Sequence, residues 1–161
     1  MIFWIGGPAG AGKTTVSRLL AQRHGFVWYS VDAHAHDHEK RAAAAGLHVL
    51  GTGPGDFDRR PMILEDVQSL DASVVVEGAF VTPQMAGVAE NAVWLMPSRE
   101  AQLARLEARD PGGDHQGLVW GWGLVHSQLE GTGANVIVVD DQTVEETLLA
   151  VEQRFGPWLM K

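Results

Sequence analysis

The chain has 161 residues, and its 12 Lys and Arg against 20 Asp and Glu give a net charge of −8. This acidic balance argues against a general nucleic-acid or membrane-surface binder, because both partners attract basic proteins, and the absence of cysteine excludes disulfides, thiolate metal sites and cysteine nucleophiles. We expect residues 1–161 to form a single domain in a cytoplasmic protein, since no apolar run is long enough for a membrane span and no basic segment typical of a signal peptide opens the chain.

Short apolar runs alternate with segments of helical periodicity. Five runs predict strands, at residues 2–5, 26–31, 74–76, 92–96 and 136–139. Their continuous apolar character is typical of strands that are buried on both faces of a parallel sheet. The segments between them predict helices at 14–24, from 61 to 70, at the short segment after Thr82, from the Ser98 cap through Leu106 with a stop at Pro111, at 118–129 and from 144 to 155. This alternation predicts an α/β domain with a parallel sheet.

The first predicted turn carries a phosphate-binding motif. Residues 7–14 match G-x-x-x-x-G-K-[ST], between a predicted strand and a predicted helix. The motif and the residue after it are the predicted nucleotide-binding residues, namely Gly7, Pro8, Ala9, Gly10, Ala11, Gly12, Lys13, Thr14 and Thr15. Glycines allow backbone N–H groups to surround a phosphate, and the following helix N-terminus adds partial positive charge. Lys13 is predicted to reach the β- and γ-phosphates of ATP, and the Thr14 hydroxyl to bind Mg²⁺. The alternative, a glycine-rich turn with a fortuitous Lys-Thr pair, is disfavoured by this context.

Beyond this P-loop (Walker A motif), the chain resembles small-molecule kinases of the shikimate, gluconate and adenylate kinase type. The resemblance is carried by Asp32-Ala33-His34, by Asp58-Arg59-Arg60-Pro61 and by Arg105-Leu106-Glu107-Ala108-Arg109. The Glu77-Gly78 strand ending is similar to that of some uridine-kinase-like proteins, and bacterial kinase-like ATPases give the nearest overall impression. The resemblance implies a three-layer P-loop kinase fold, with five parallel strands in the order 2-3-1-4-5 and helices on both faces.

The resemblance also implies where the acceptor binds. Residues 33–70 are expected to form an acceptor-binding insertion, with substrate contacts from Asp32, His34, Arg59, Glu77 and Gly78. Asp32 is the predicted catalytic carboxylate, and either Asp32 or Glu77 is a candidate to hold Mg²⁺ through water. Alternatively Asp32 caps a helix, Glu77 is a buried carboxylate bonded to the P-loop, and Arg59 and Arg60 offset nearby acidic residues.

Two arginines and a short loop complete the predicted site. Arg105 and Arg109 are one helical turn apart, and a guanidinium group suits both phosphate oxygens and adenine, so we predict that they are catalytic and nucleotide-binding. Surface ion pairing along the helix is the alternative. Residues 110–117 are predicted to form a short lid.

The histidines at 34, 36 and 38 admit a further interpretation. His34 and His38 have the spacing of two metal ligands on one helix face, but no third ligand is evident, and an exposed polar helix with one substrate-facing histidine is the favoured interpretation.

These predictions combine into one functional hypothesis. The chain is expected to be an ATP- and Mg²⁺-dependent phosphotransferase acting on a hydroxyl or phosphate of a small molecule, such as a sugar acid, a nucleoside or nucleotide, or an antibiotic-like compound. The alternative is a nucleotide-binding regulatory or resistance module, or an ATPase, without a dedicated acceptor. The sequence leaves the acceptor and the oligomeric state open.

Overall fold

A single parallel sheet forms the centre of the computed structural model, which describes residues 1–47 and 57–160. Its strands are β1 (Ile2–Gly6), β2 (Val27–Ser30), β3 (Val74–Glu77), β4 (Ala92–Met96) and β5 (Val136–Val138). They lie in the order β2-β3-β1-β4-β5, and every neighbouring pair is parallel. The predicted fold class and strand order are therefore confirmed.

The helices lie on both faces of this sheet, as predicted. Over the described ranges they are α1 (Lys13–His24), α2 (Ala35–Ala44), α3 (Arg60–Gln68), α4 (Pro83–Ala86), α5 (Arg99–Arg109), α6 (Gln116–Leu129) and α7 (Val144–Leu159). Several ends coincide with the expected signals. Gly25 ends α1 in the left-handed conformation, Ser98 caps α5, and Thr143 and Glu146 form a reciprocal capping box at α7.

Alternate residues of β1 supply two separate hydrophobic cores. Phe3 and Ile5 are fully buried in the core formed with α1 and α7, whereas Trp4 points into the core that includes residues of α3 and α6. This alternation is the period of two expected of a strand with both faces covered. It keeps the carboxyl end of β1, where the P-loop begins, between two packed layers.

The two edge strands depart from the prediction, and at β2 the first residue, Val27, is 38% exposed. β5 was expected to be buried on both faces, yet it is an edge strand, in which Val136 is 37% and Val138 57% exposed, whereas Ile137 between them is buried. A run of branched apolar residues does not distinguish an edge strand from a central one, because β propensity reflects packing that the run itself does not specify.

The predicted acceptor insertion consists of helical elements where the structure describes it. A 3₁₀ turn at Asp32–His34 leads into α2, and α3 follows residues 57–59, while residues 48–56 of the insertion lie outside the described residues. The division of the chain into this insertion and a lid stays a prediction. In residues 1–47 and 57–160, no helix combines the length and apolar character needed to cross a membrane.

Candidate functional site

The P-loop runs from the carboxyl end of β1 into α1 and depends on close backbone approach. A Cβ on Gly7, whose φ is +135°, would lie 2.3 Å from the carbonyl oxygen of Leu95 on β4. Gly12 precedes α1 with φ +81°, a conformation that costs side-chain-bearing residues free energy. Glycine is therefore required at these two positions for the loop to lie against β4 and to turn directly into the helix.

Lys13 crosses the loop from one end to the other. Its Nζ donates a 2.7 Å hydrogen bond to the carbonyl oxygen of Pro8, and the residue is buried. Burial lowers the pKa of Lys13 from its usual value, and Arg109 lowers it further, whereas Glu77 and Asp32 oppose the shift. A buried ammonium group that binds a carbonyl of the loop is well suited to exchange this carbonyl for a phosphate oxygen.

The side-chain oxygens of Thr14, at the start of α1, and Glu77, at the end of β3, lie next to each other. The Thr14 hydroxyl donates a 3.2 Å hydrogen bond to Glu77 Oε1, and Glu77 is 1% exposed at the end of β3. Burial raises the pKa of the Glu77 carboxyl, while hydrogen bonds from Ser30 and Thr14 and the charge of Lys13 oppose the rise. Hydroxyl and carboxylate oxygens are the ligand types that Mg²⁺ prefers, directly or through water, so this pair fits a magnesium ion.

Asp32 lies in the 3₁₀ turn after β2 and is exposed. It accepts no hydrogen bond from the described residues, but its charge acts on Lys13, Arg59 and Glu77 alike. The structure thus places Asp32 within electrostatic reach of three other predicted site residues at the carboxyl edge of the sheet.

His34 and Gly78, two further predicted substrate contacts, have structural partners. His34 Nδ1 lies 2.7 Å from the carbonyl oxygen of Ser30, and its ring stacks on Tyr29 at 4.0 Å between centroids. A Cβ on Gly78 would lie 2.8 Å from Cβ of Val31, so glycine here allows the end of β3 to approach the chain after β2. Contact of either residue with substrate stays a prediction.

Arg59 precedes α3 and is almost completely buried, with 3% of its surface exposed. Its Nη2 donates a 2.5 Å hydrogen bond to the carbonyl oxygen of Val31, and its guanidinium carbon lies 5.4 Å from the centre of the Phe80 ring. For Arg60, the next residue, the structure shows the alternative of offsetting nearby acidic residues, because Arg60 forms a 2.8 Å ion pair with Asp58. Asp56, the other acidic residue near the pair, lies outside the described residues.

A cavity of about 300 Å³ lies beside Arg59. Its lining combines two arginines and one aspartate with aromatic, aliphatic and neutral polar side chains, supplied by Phe57, Asp58, Arg59, Arg60, Ile63, Phe80, Thr82, Gln84 and Gln128. This composition suits a polar small molecule, and the cavity is our candidate acceptor site.

Arg105 binds backbone carbonyls at the edge of the P-loop. Its Nη1 donates a 3.1 Å hydrogen bond to Gly10, while Nη2 donates to Val139 and, at 2.7 Å, to Asp140. Arg109, one turn further along α5, is exposed and makes no hydrogen bond or ion pair within the described parts of the chain. The arginines therefore differ in setting, although both remain predicted nucleotide contacts.

A small cavity of about 150 Å³ separates Arg105 from the start of α7. It lies between the end of the P-loop and the segment after β5, and is lined by Ala11, Gly12, Thr15, Val16, Arg105, Val139, Gln142, Val144 and Thr147. A cavity that continues from a phosphate loop, with aliphatic walls and a guanidinium plane, is suited to the base of a nucleotide.

The predicted lid is short and is tied to the end of α5. Glu107 accepts a 2.7 Å hydrogen bond from the backbone N–H of Gly112, and its other oxygen lies 3.1 Å from His115 Nε2. The backbone N–H of Gln116 then donates to Asp114 at 3.0 Å. Residues 110–115 thus form a compact turn between two helices.

Sequence reasoning missed three residues that support the site. Gln102 is fully buried and donates a 2.9 Å hydrogen bond to the Ala9 carbonyl oxygen; its position one turn before Arg105 could have indicated it. His38 and Asp66 contact each other at 2.8 Å. The expectation of an exposed helix was wrong for His38, which is fully buried, because α3 covers that face of α2 and no local pattern shows this.

Comparison with known proteins gives a family match. A sequence model described as shikimate kinase matches residues 9–112. No curated protein matches the chain.

Solved structures share the whole fold at low sequence identity. A gluconokinase from Sinorhizobium meliloti 1021 is 19% identical with a TM-score of 0.66, covering 99% of this chain and 93% of its own. A shikimate kinase from Acinetobacter baumannii in complex with shikimate is 19% identical with a TM-score of 0.62, covering 99% and 95%. A tunicamycin resistance protein from Deinococcus radiodurans is 16% identical with a TM-score of 0.67, covering 96% and 95%.

Proposed function

The chain belongs to the shikimate kinase family and is a small-molecule kinase, and on this basis we propose that it transfers the γ-phosphoryl group of Mg²⁺-bound ATP to a hydroxyl or phosphate group of a small polar acceptor. Sugar acids, nucleosides, nucleotides and antibiotic-like compounds are the acceptor classes that fit. The observation that carries the proposal is the 3.2 Å hydrogen bond from the Thr14 hydroxyl to Glu77 Oε1, beside Lys13. It joins the end of the P-loop to the carboxyl end of β3, at the edge of the sheet where the acceptor is expected.

Phosphoryl transfer depends on positioning and charge neutralisation more than on covalent chemistry. The P-loop backbone and Lys13 bind the phosphates and neutralise charge on the group in transfer. The acceptor oxygen forms a bond to the γ-phosphorus as the bond to the bridging oxygen breaks, and ADP leaves. For a hydroxyl acceptor, Asp32 orients the group and takes its proton.

Thr14 and Glu77, with Asp32 as a further candidate, are the residues that would hold magnesium. The ion supplies positive charge that offsets the developing charge on the phosphoryl oxygens. The buried Glu77 carboxylate also fixes the Thr14 hydroxyl, which keeps this oxygen pair aligned with the P-loop.

The nucleotide base is assigned to the cavity beside Arg105, and Arg109 is assigned to the phosphates. Arg109 suits a contact that forms only with nucleotide, since its charge acts on Lys13 while its donors have no partner among the described residues. Closure of residues 110–117 over the reactants would exclude water and limit hydrolysis of ATP.

The acceptor is assigned to the cavity beside Arg59. A cationic donor next to Phe80 and neutral amides favours an acceptor with both hydroxyl groups and an anionic or carbonyl oxygen. Shikimate and gluconate are suitable first probes, because the family and the fold neighbours include kinases named for these compounds.

The test is acceptor-dependent ADP formation measured over a panel of metabolites, with shikimate and gluconate included. We expect one acceptor to raise ADP formation at least tenfold above the rate with ATP alone. Asp32→Asn should reduce that turnover about 100-fold or more, within the usual range for loss of general base catalysis, while ATP affinity remains within about twofold. Tight ATP binding without acceptor-dependent turnover would favour the regulatory or resistance module instead.

A further inference from the structure

His38 is fully buried and contacts Arg59, which lines the cavity assigned to the acceptor; the polar contacts of its side chain are made through the two ring nitrogens. Nδ1 lies 3.1 Å from Nε and 3.0 Å from Nη2 of Arg59. Nε2 lies 2.8 Å from Asp66 Oδ2 and 3.3 Å from the Tyr29 hydroxyl. The imidazole therefore bridges the guanidinium group that lines the cavity and a carboxylate on α3.

These partners determine the tautomer of the ring. Arg59 has only donors to offer, so Nδ1 must be an unprotonated acceptor. The proton of the neutral ring is then on Nε2, which donates to Asp66. Asp66 also accepts hydrogen bonds of 2.6 Å from Tyr29 and 2.6 Å from Arg41, and these bonds fix the orientation of the carboxylate.

The surroundings of the ring also favour its neutral form. Burial lowers the pKa of His38, and the charges of Arg59 and Arg41 lower it further, although Asp66 opposes the shift. The titratable groups that face the ring are Tyr29 on β2, His34 beside it, Asp37 and Arg41 on α2, Arg59 before α3, and Asp66 on α3. Asp37, His38 and Asp66 also have the spacing of a metal site, but both nitrogens of His38 are already committed to protein partners.

The same contacts restrict Arg59. Its Nε and Nη2 are bound by His38 and by the carbonyl oxygen of Val31. Nη1 is the guanidinium nitrogen that makes no hydrogen bond within residues 1–47 and 57–160. A buried guanidinium group that is bound at two of its three nitrogens is held in one orientation, so the donors on its third nitrogen have a fixed direction.

We propose that His38, oriented by Asp66, is a positioning residue of the acceptor site: it accepts hydrogen bonds from Arg59 through Nδ1 and so directs the free donors of Arg59 toward the acceptor. The proposal rests on the proposed function in one respect, the assignment of the cavity beside Arg59 to the acceptor. A positioned donor binds its ligand without first losing rotamer freedom.

Two substitutions at His38 separate positioning from simple loss of packing. In His38→Asn the amide can place an oxygen near the site of Nδ1, so the acceptor for Arg59 is retained and the contact with Asp66 is lost. In His38→Gln the amide reaches toward the site of Nε2, so the contact with Asp66 is retained and the acceptor for Arg59 is lost. Both remove a buried ring and should destabilise the fold similarly, as measured by urea unfolding.

Steady-state kinetics with shikimate or gluconate as the acceptor probe then decides the role. We expect His38→Gln to raise the KM for the acceptor at least tenfold and His38→Asn to raise it less than threefold, with the KM for ATP within twofold of the original in both. In an Arg59→Ala background, His38→Gln should have no further effect on the acceptor KM. Equal acceptor KM values in the two His38 variants, or equal changes for ATP and acceptor, would overturn the proposal.

A measurement that needs no acceptor makes the two proposals separable. The ¹⁵N chemical shifts of the His38 ring in the intact protein should show an unprotonated Nδ1 and a protonated Nε2, and the Nδ1 signal should shift in Arg59→Lys. A protonated Nδ1, or one unaffected by Arg59→Lys, would refute the positioning role. If neither shikimate nor gluconate were phosphorylated, that result would count against these acceptors under the proposed function, and the ring spectra would still decide whether His38 holds Arg59.

Discussion

Removing the Arg105 side chain should weaken both the fold and the P-loop. The guanidinium group donates to three backbone carbonyls, on Gly10 of the loop and on Val139 and Asp140 after β5. A hydrogen bond to a charged group contributes about 1.5–3 kcal/mol. Because the three bonds share one partly buried group and water replaces part of each, we expect Arg105→Ala to lower the free energy of unfolding by about 2–4 kcal/mol in total.

Arg109→Ala is the matched control for stability, since Arg109 lies on the same helix but makes no hydrogen bond or ion pair within the described parts of the chain; it is not a control for ATP affinity, because Arg109 is assigned to the phosphates. It should change stability by less than about 0.5 kcal/mol. For a chain of this length 1 kcal/mol corresponds to roughly 2–4 °C in Tm, so Arg105→Ala should melt about 5–15 °C lower and Arg109→Ala about 2 °C lower at most. Differential scanning calorimetry measures the stability, and titration with ATP measures the affinity.

The two variants also separate two roles for Arg105. If it supports the loop, ATP affinity and Tm should both fall in Arg105→Ala. Equal Tm values for the two variants would refute the reasoning, and a loss of ATP affinity with an unchanged Tm would show that Arg105 acts only on the nucleotide.

Three further predictions test other parts of the site. Lys13→Ala should lower kcat/KM by at least about 100-fold, as expected for loss of a preorganised positive group, and an unchanged rate in the coupled ADP assay would contradict the role of the P-loop. Glu77→Gln should lower kcat/KM about 10–100-fold, as for other groups that orient metal ligands. The pKa of Glu77 in the folded protein is raised above the reference value of 4.5, so the native protein loses stability as the pH rises from 4.5 through this folded pKa. Glu77→Gln lacks the titrating group, and its free energy of unfolding in urea should therefore rise relative to that of the native protein over the same interval. A difference between the two proteins that stays constant with pH would contradict the assigned direction. Gly7→Ala should destabilise the protein by about 3 kcal/mol or more, because a Cβ there meets the Leu95 carbonyl oxygen at 2.3 Å, whereas Gly25→Ala, at φ +68° with open space around it, should cost only about 1 kcal/mol; similar unfolding midpoints for the two would refute the argument from close approach.

The sequence was sufficient for the features that depend on local chemistry. Three such features are the P-loop, the Ser98 cap and the Thr143 capping box. Each depends on residues within a few positions of one another, so the local sequence is enough to predict it. The strand order followed from resemblance to kinases that carry the same motif, and the parallel sheet from the alternation of strands and helices.

The remainder depends on contacts between distant segments. His38 and Asp66 are 28 positions apart and meet only because α2 packs against α3. Arg105 stays a predicted nucleotide contact, but the sequence did not show that its donors also reach carbonyls 34 and 35 positions further along the chain. These backbone contacts depend on how α5 packs beside the P-loop and the end of β5, and no local pattern along the chain specifies that packing.

Helix α5 carries both the residues that support the P-loop and the residue that binds the connection to α6. Gln102 and Arg105 bind consecutive loop carbonyls, at Ala9 and Gly10, whereas Glu107 fastens the connection to α6. Residues inserted after position 109 would lengthen the connection to α6 and leave the hydrogen bonds of Gln102 and Arg105 to the P-loop in place. The connection between α5 and α6 can therefore be exchanged while the phosphate-binding loop keeps its supports, and lengthening this connection is the natural first change in a redesign of this kinase.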